Sequence, residues 1–339
     1  KVIAPLVSDG QTTESTEEAQ EEKDPLIPEI DTSVELQAGS RVAVVSKSTS
    51  GEFWGLVKKG MEQAIADVNE AYGFKKEDQV TMTFEGASDE KDVESQVNTI
   101  DAVIAENPDV LCVSASDMDS LQAQLEAAKE NGIPVVAFDS GVTDSKMVRA
   151  FRGTDNTRVG EIAAYRLATA IGKMGKVAVF SAQEKTQSIQ ERVSGFTNYI
   201  TNYPDIEVVE IVYQDQVDDM TAAMQEVLDK YPQLDGVFCN NADIADLYLD
   251  MKKDETKDSI VMVGVDATAK QQEAIRNSKE VGVVSQQPYA MGYQTIWTAL
   301  LTTAPKKSVE IKRNVRIDPA WIDSSNIDDP TYSSYLYAN

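Results

Sequence analysis

Histidine is absent from this 339-residue chain. That removes the commonest general base and the commonest metal ligand, so neither a Ser-His-Asp triad nor an ordinary zinc site can be assembled from it. Cysteine is nearly absent too. Cys112 and Cys239 fall in two apolar, strand-like runs far apart in sequence, and each reads as a small core residue, not as half of a disulfide. Positive charge is scarce: 31 Lys and Arg stand against 57 Asp and Glu, a formal charge of −26. Such a balance excludes a nucleic-acid backbone as partner and argues against direct binding to an acidic membrane surface. No apolar run approaches the ~18 residues of a membrane-spanning helix. Phosphate cradles are missing as well, since no Gly-x-Gly-x-x-Gly follows a strand and no Gly-x-x-x-x-Gly-Lys-Ser/Thr occurs, which excludes the usual dinucleotide and triphosphate enzymes.

What is present is a chain 42% hydrophobic and long enough for two ordinary domains. Its charge is uneven. Residues 1–40 hold ten acids, two lysines and prolines at 5, 25 and 28, and the segment is expected to be a disordered acidic linker. The chain starts at Lys1 without Met or a signal peptide, which suggests that an upstream segment was removed.

From Arg41 onward, strand and helix patterns alternate. Arg41-Val42-Ala43-Val44-Val45 reads as a buried strand. A helix with Leu56, Met61, Ile65 and Val68 on one face follows and stops near Gly73. Two stretches then share one layout: Ile133-Pro134-Val135-Val136-Ala137-Phe138 runs into Asp139, and Ile260-Val261-Met262-Val263-Gly264-Val265 runs into Asp266. Each follows another apolar strand, at 110–113 and at 236–239, with a helical segment between. Strict alternation predicts α/β structure with parallel sheets. The duplication predicts two lobes, each presenting a carboxylate at a strand's carboxyl end, where ligands of open α/β sheets bind.

Acids in turns after strands, such as Asp117, Asp119 and Asp215, are ordinarily solvated caps; Asp139 and Asp266 stand out because both face the predicted cleft. Phe53-Trp54, ending a polar loop at a helix start, is either a staple on the core or a stacking platform for a sugar ring.

Taken in order, the Val44-Val45-Ser46 loop, Phe53-Trp54, Asp117-x-Asp119, Ile133-Pro134-Val135-Val136-x-x-Asp139, Thr154-Asp155-Asn156, Arg192-x-x-Gly195-Phe196, Val237-Phe238-Cys239-Asn240-Asn241, Val263-Gly264-Val265-Asp266 and Gln286-x-Pro288 resemble the ribose/galactose class of bacterial sugar-binding proteins. These are type I periplasmic binding proteins, the solute-binding components of ABC importers. The resemblance implies two doubly wound parallel-sheet lobes joined by a three-strand hinge near 152–155, 285–288 and 315–318. It divides the chain into 41–153 plus 287–316 for the N-terminal lobe and 154–286 plus 317–339 for the C-terminal lobe. It also implies that Phe53 and Trp54 sandwich a sugar ring, and that Asp139, Arg192, Asn241, Asp266 and Gln286 bond its hydroxyls. Asp215 falls where the family often has an aromatic. Ser140 stands where ribose binders carry Arg, and the Asn of their first loop is replaced by Ser48–Gly51. These departures leave a more acidic pocket, one that suits an amino sugar or another cationic polyol. Asp155-Asn156 is expected to cap a helix.

The expected activity is capture of a sugar or polyol by hinge closure and delivery to an ABC permease with its ATPase. No catalysis, cofactor or metal is expected. The alternative is a sensor presenting ligand to a chemoreceptor or kinase. The acidic Ser/Thr/Glu segment resembles the spacer of Gram-positive lipoproteins, so an extracellular monomer is expected, tethered by a lipid anchor upstream of Lys1, with a free periplasmic protein as the alternative.

Overall fold

The computed structural model describes residues 23–256, 258–305 and 309–338. The first unit runs β1 (Arg41–Val45), α1 (Glu52–Tyr72), β2 (Thr81–Glu85), α2 (Val93–Ala105), β3 (Val110–Val113), α3 (Gln122–Glu130), β4 (Val135–Phe138) and β5 (Ala150–Thr154). The second repeats the plan with α4 (Asn156–Ala170), β6 (Gly175–Ser181), α5 (Gln187–Ile200), β7 (Ile206–Tyr213), α6 (Met220–Lys230), β8 (Gly236–Cys239), α7 (Ala242–Met251), β9 (Val261–Val265), α8 (Ala269–Arg276) and β10 (Gly282–Ser285). The chain then returns through α9 (Pro288–Thr302), β11 (Asn314–Ile317) and β12 (Ala320–Asp323).

Two six-stranded sheets result, ordered β2-β1-β3-β4-β5-β11 and β7-β6-β8-β9-β10-β12. The order reverses after β1 in one sheet and after β6 in the other, and each reversal opens a crevice at the strands' carboxyl ends. All pairings are parallel except β10 with β12. The backbone passes between sheets after β5, after β10 and between β11 and β12, giving three connections.

The central N-lobe strands β3 and β4 are apolar throughout because both faces are covered. Val42, Val44, Cys112, Val136 and Phe138 face one core with α1 and α9, whereas Ala43, Val45, Leu111, Val113 and Ala137 face another with α2 and α3. Helix α1 ends where the spacing predicts: Gly73 takes a left-handed φ of 68° and closes the last turn with its N–H. Both cysteines are free and buried, one per sheet.

One expectation is corrected. Within the predicted linker, residues 23–40 pack against the N-lobe. Leu26, Ile27, Ile30, Val34 and Leu36 join its core, and Tyr72 Oη donates to the Val34 and Asp31 carbonyls at 2.6 and 2.9 Å. The aliphatic side chains between the acids and prolines supply enough apolar surface to hold this segment on α1 and α9. The rest of that expectation, residues 1–22, lies outside the described residues.

Candidate functional site

Asp139 and Asp266 each follow the last residue of a strand, β4 and β9, and each takes a left-handed backbone conformation, φ 59° and 78°. Asp adopts this region at less cost than most residues, and such strain concentrates at functional sites. Each backbone N–H is held by the neighbouring strand, Asp139 by the Arg152 carbonyl at 2.9 Å and Asp266 by the Val284 carbonyl at 3.0 Å. The two lobes thus build the same device.

The lobes meet. Met118 N donates to the Lys185 carbonyl at 2.9 Å, Thr186 Oγ1 to the Ser116 carbonyl at 2.6 Å, and Gly141 N to Gln187 Oε1 at 2.6 Å. At the opposite end of the cleft Ala269 N donates to Glu52 Oε2 at 3.0 Å. Between these contacts lies a cavity of about 220 Å³ lined by both lobes.

Of the nine residues singled out from sequence, seven line the cavity: Phe53, Trp54, Asp139, Arg192, Asn241, Asp266 and Gln286. Ser140 sits behind it, fully buried, its Oγ hydrogen-bonded to Ser188 Oγ at 2.8 Å across the lobe boundary. Asp215 is elsewhere. It lies in a short 3-10 turn after β7, where its carboxylate caps Glu184 N at 3.2 Å, so the aromatic position it was matched to is no part of this cavity.

The aromatic pair does not form a sandwich. The two rings contact each other edge to face, centroids 4.9 Å apart and 86° between planes, so no sugar ring fits between them. They form one wall, fixed by a 2.7 Å hydrogen bond from Trp54 Nε1 to Glu90 Oε1. From the other lobe the apolar lining is Ile189 and Ala242.

Lys47 is the main residue that sequence reasoning missed. It lies two residues past β1, almost fully buried, with Nζ 3.0 Å from Asp139 Oδ2, 3.1 Å from Ser140 Oγ and 3.8 Å from Glu90 Oε2. Burial alone would lower its pKa; attraction to Asp139 and then Glu90 outweighs this and raises it, so Lys47 is charged. From the loop after β1 it supplies a positive charge beside Asp139. Ser114 Oγ at 2.6 Å and Ser140 Oγ at 3.1 Å also donate to Asp139 Oδ2, while Oδ1 has no partner among the described residues.

Asp266 is held differently. Gln286 Nε2 and Tyr337 Oη donate to Oδ1, both at 2.7 Å, and Ala242 N donates to Oδ2 at 2.8 Å. Gln286 was expected to bond a hydroxyl, but its amide is already engaged, with Oε1 accepting from Thr154 Oγ1 at 2.7 Å. It ties the hinge to Asp266. Asn241 caps α7 through Oδ1, which accepts from Ile244 N, while its Nδ2 has no partner among the described residues. Arg192 is aimed by Asn156 Oδ1 on Nε at 2.9 Å and the Asn240 carbonyl on Nη1 at 2.8 Å. This aim needs α4 and α5 in backbone contact: a Cβ on Gly160 or Gly195 would stand 2.2 or 2.3 Å from a facing carbonyl oxygen. Asn156 therefore orients Arg192, a role its position after the cap Asp155 did not reveal.

Six carboxylates line the cavity, Glu52, Glu90, Asp139, Asp243, Asp246 and Asp266, against the two cations Lys47 and Arg192. Desolvation within the cleft, together with repulsion from Glu90, Asp266, Asp246 and Asp89, pushes Asp243 up to about 7. Desolvation also pushes Asp246 up to about 6. The cavity holds more negative charge than its own cations balance. The described residues contain no His/Cys/Asp/Glu grouping able to hold a metal ion.

Residues 42–304 match the family model of the periplasmic binding protein domain. Among characterised proteins, the chain is 27% identical over 203 residues to the ribose import binding protein of Bacillus subtilis, covering 60% of this chain and 66% of that protein. It is 26% identical over 216 residues to the D-ribose/D-allose-binding protein of Pseudomonas aeruginosa, covering 60% and 63%. The match thus spans just under two thirds of either relative's length. Among solved structures, a solute-binding protein of an ABC transporter from Agrobacterium vitis with bound D-fucose superposes with a TM-score of 0.79 at 28% identity, over 88% of this chain and all of the other. A second Agrobacterium vitis solute-binding protein, with bound α-D-tagatopyranose, gives 0.80 at 26% identity over the same shares.

Proposed function

The chain belongs to the periplasmic binding protein domain family, and from that premise we propose that it captures a single sugar ring between its lobes and delivers it to an ABC permease and its ATPase. The observation that carries this reading is the cavity with one strand-end aspartate from each lobe on its wall. At about 220 Å³ it falls below the ~300–1,000 Å³ of pockets for drug-sized ligands, which suits a monosaccharide.

Polyhydroxylated ligands match the walls. Asp139 Oδ1 accepts from a hydroxyl, Arg192 Nη2 and Asn241 Nδ2 donate to one, and Phe53 and Trp54 cover an apolar ring face. Hydrogen bonds to charged groups in a desolvated site are short and strong. Both lobes reach one ligand only when they are closed, so binding shifts the equilibrium toward the closed form, the hinge motion of this class of proteins. No bond is made or broken.

The surplus of carboxylate selects within the sugars. Neutral and amine-bearing sugars fit, whereas uronic acids meet repulsion from Asp266, Asp243 and Asp246. A thermal-shift panel of pentoses, hexoses, 6-deoxyhexoses, hexosamines and uronic acids tests this, because a ligand that binds only the native state raises the midpoint. At least one neutral or amine-bearing sugar raises the midpoint and no uronic acid does. A panel with no sugar response removes the proposal.

We place the protein outside the cytoplasmic membrane, with a lipid anchor ahead of the acidic N-terminal segment. A cysteine followed directly by that segment in the full-length gene supports the anchor.

A further inference from the structure

The last described residues of the chain reach the back of the site. After a 3-10 turn (Pro330–Tyr335), the tail is fastened to the C-lobe by Ser285 Oγ donating to the Tyr335 carbonyl at 2.6 Å. Tyr337 N donates to the Ala267 carbonyl at 3.1 Å, and Gln272 Nε2 to the Ala338 carbonyl at 3.1 Å. Tyr332, Tyr335 and Leu336 pack on the small core around Ile275, Val283 and Ile322. The fastening puts Tyr337, only 6% exposed, behind the cavity wall. Its Oη donates to Asp266 Oδ1 at 2.7 Å and accepts from Gln286 N at 3.3 Å. Its ring lies 6.1 Å from Phe53, in the N-lobe, and belongs to that lobe's core cluster.

We propose that Tyr337 is a positioning residue for ligand recognition: it fixes the Asp266 carboxylate from behind and backs the Phe53 wall when the lobes are closed. A carboxylate has about four acceptor sites. Tyr337 and Gln286 occupy Oδ1 and Ala242 N occupies part of Oδ2, so one direction on Oδ2 remains for a ligand hydroxyl. Without the phenol, Oδ1 loses one of its two donors, and the carboxylate is free to turn and accept from hydroxyls at other ring positions. Burial and the nearby Asp266 charge keep the phenol protonated, so it acts as a fixed donor. The tail is fastened to the C-lobe while its ring meets Phe53 of the N-lobe, so it links the carboxylate of one lobe to the aromatic wall of the other.

The proposal rests on the sugar-binding reading, and its test separates the two. D-ribose and D-arabinose, epimers at one carbon, serve as probes. Their affinities are measured by calorimetry for the native chain, Tyr337→Phe, and Tyr335→Phe as a control on the same tail. Tyr337→Phe keeps the ring and is expected to weaken the preferred sugar roughly tenfold, the factor of about 1.4 kcal/mol, and to compress the ribose-to-arabinose ratio, beside a loss of sugar-free stability that is the same for either sugar. Tyr335→Phe changes neither. An unchanged ratio overturns the proposal, whether affinities stay put or fall equally for both sugars. Should the native chain bind neither sugar, a sugar-free measurement decides: slow hydrogen exchange across 335–338, lost in Tyr337→Phe together with protection at Ala242, supports the positioning role, and free-peptide exchange rates in the native chain overturn it.

Discussion

Asp139 and Asp266 occupy equivalent places in two equivalent lobes, yet their charges are balanced in different ways. Asp139 is paired with a buried ammonium, Lys47, at 3.0 Å. Asp266 has only neutral donors, an amide, a phenol and a backbone N–H, and among the described residues no lysine or arginine forms an ion pair with it or with its neighbours Asp243 and Asp246. The fold duplicated the position of the carboxylate and not its environment. Each lobe lines the cleft with three carboxylates and one cation, but only the N-lobe's cation, Lys47, is in contact with the strand-end aspartate, so Asp266 keeps its charge unpaired for whatever enters.

Removing each carboxylate breaks the comparison most directly. Asp139→Ala leaves Lys47 buried with the Ser140 hydroxyl and with Glu90, at 3.8 Å, as its remaining carboxylate, and breaking a buried ion pair by removing one partner costs about 3–5 kcal/mol. Asp266→Ala strands the Tyr337 hydroxyl and the Gln286 amide, neutral donors whose loss costs about 1–3 kcal/mol. Urea unfolding of the two sugar-free variants should therefore place Asp139→Ala well below Asp266→Ala, although both weaken sugar binding at least tenfold. Equal stabilities would mean that Lys47 relaxes into the cleft and that the asymmetry has no energetic content.

A double variant sharpens the same point. In Lys47→Met with Asp139→Asn the ion pair becomes a neutral pair, and the Ser114 and Ser140 hydroxyls can still donate to the amide oxygen. Replacing both members of a buried pair is commonly near neutral, whereas removing one is not. The double variant should recover ~2 kcal/mol relative to the sum of the single variants in a mutant cycle. Additive losses would show that the two side chains do not act as a pair.

Much of this was legible in advance because it is local. Apolar runs ending in an acid mark strand termini, and two such runs in the same context place Asp139 and Asp266 without any knowledge of packing. Lys47 was not legible. A lysine two residues past a strand is ordinarily a solvated loop residue, and only the fold of the β1–α1 loop over β4 brings its Nζ to Asp139. The partners of Asp266 were hidden for the same reason: Tyr337 is 71 residues away in sequence, in a tail with no periodicity to read. Phe53 and Trp54 were legible as wall residues, but their mutual angle depends on Trp54 reaching Glu90, a contact between the start of α1 and the loop after β2. Asp215 shows the opposite error, since a position matched along the chain lies in a turn outside the cavity lining, capping Glu184 N. Residues 23–40 were misread because acids and prolines dominate the composition there, while five aliphatic side chains decide the packing.

The smallest effect concerns the C-lobe end itself. Asp243, wetted by the cavity but enclosed by both lobes, is pushed up to about 7 from an ordinary value of 3.8. Below about pH 4 it is neutral in both folded and unfolded chains and contributes nothing. Between about 4 and 7 the unfolded chain gives up the proton while the folded site keeps it, so stability falls as pH rises, and above 7 the penalty is complete. Asp243→Asn removes that penalty. The sugar-free variant should melt above the native chain at pH 8, by a few degrees at most because the group is wetted, and level with it at pH 4. A hexosamine bound beside Asp243 removes the same penalty by supplying a cation, so its midpoint shift on the native chain should grow from pH 5 to pH 7, and a neutral sugar's should not. Pairing Asp243→Asn with that ligand then decides whether the surplus charge serves recognition: the pH-dependent part of the hexosamine shift disappears if it does, and persists if the amine is held on the Asp139 side.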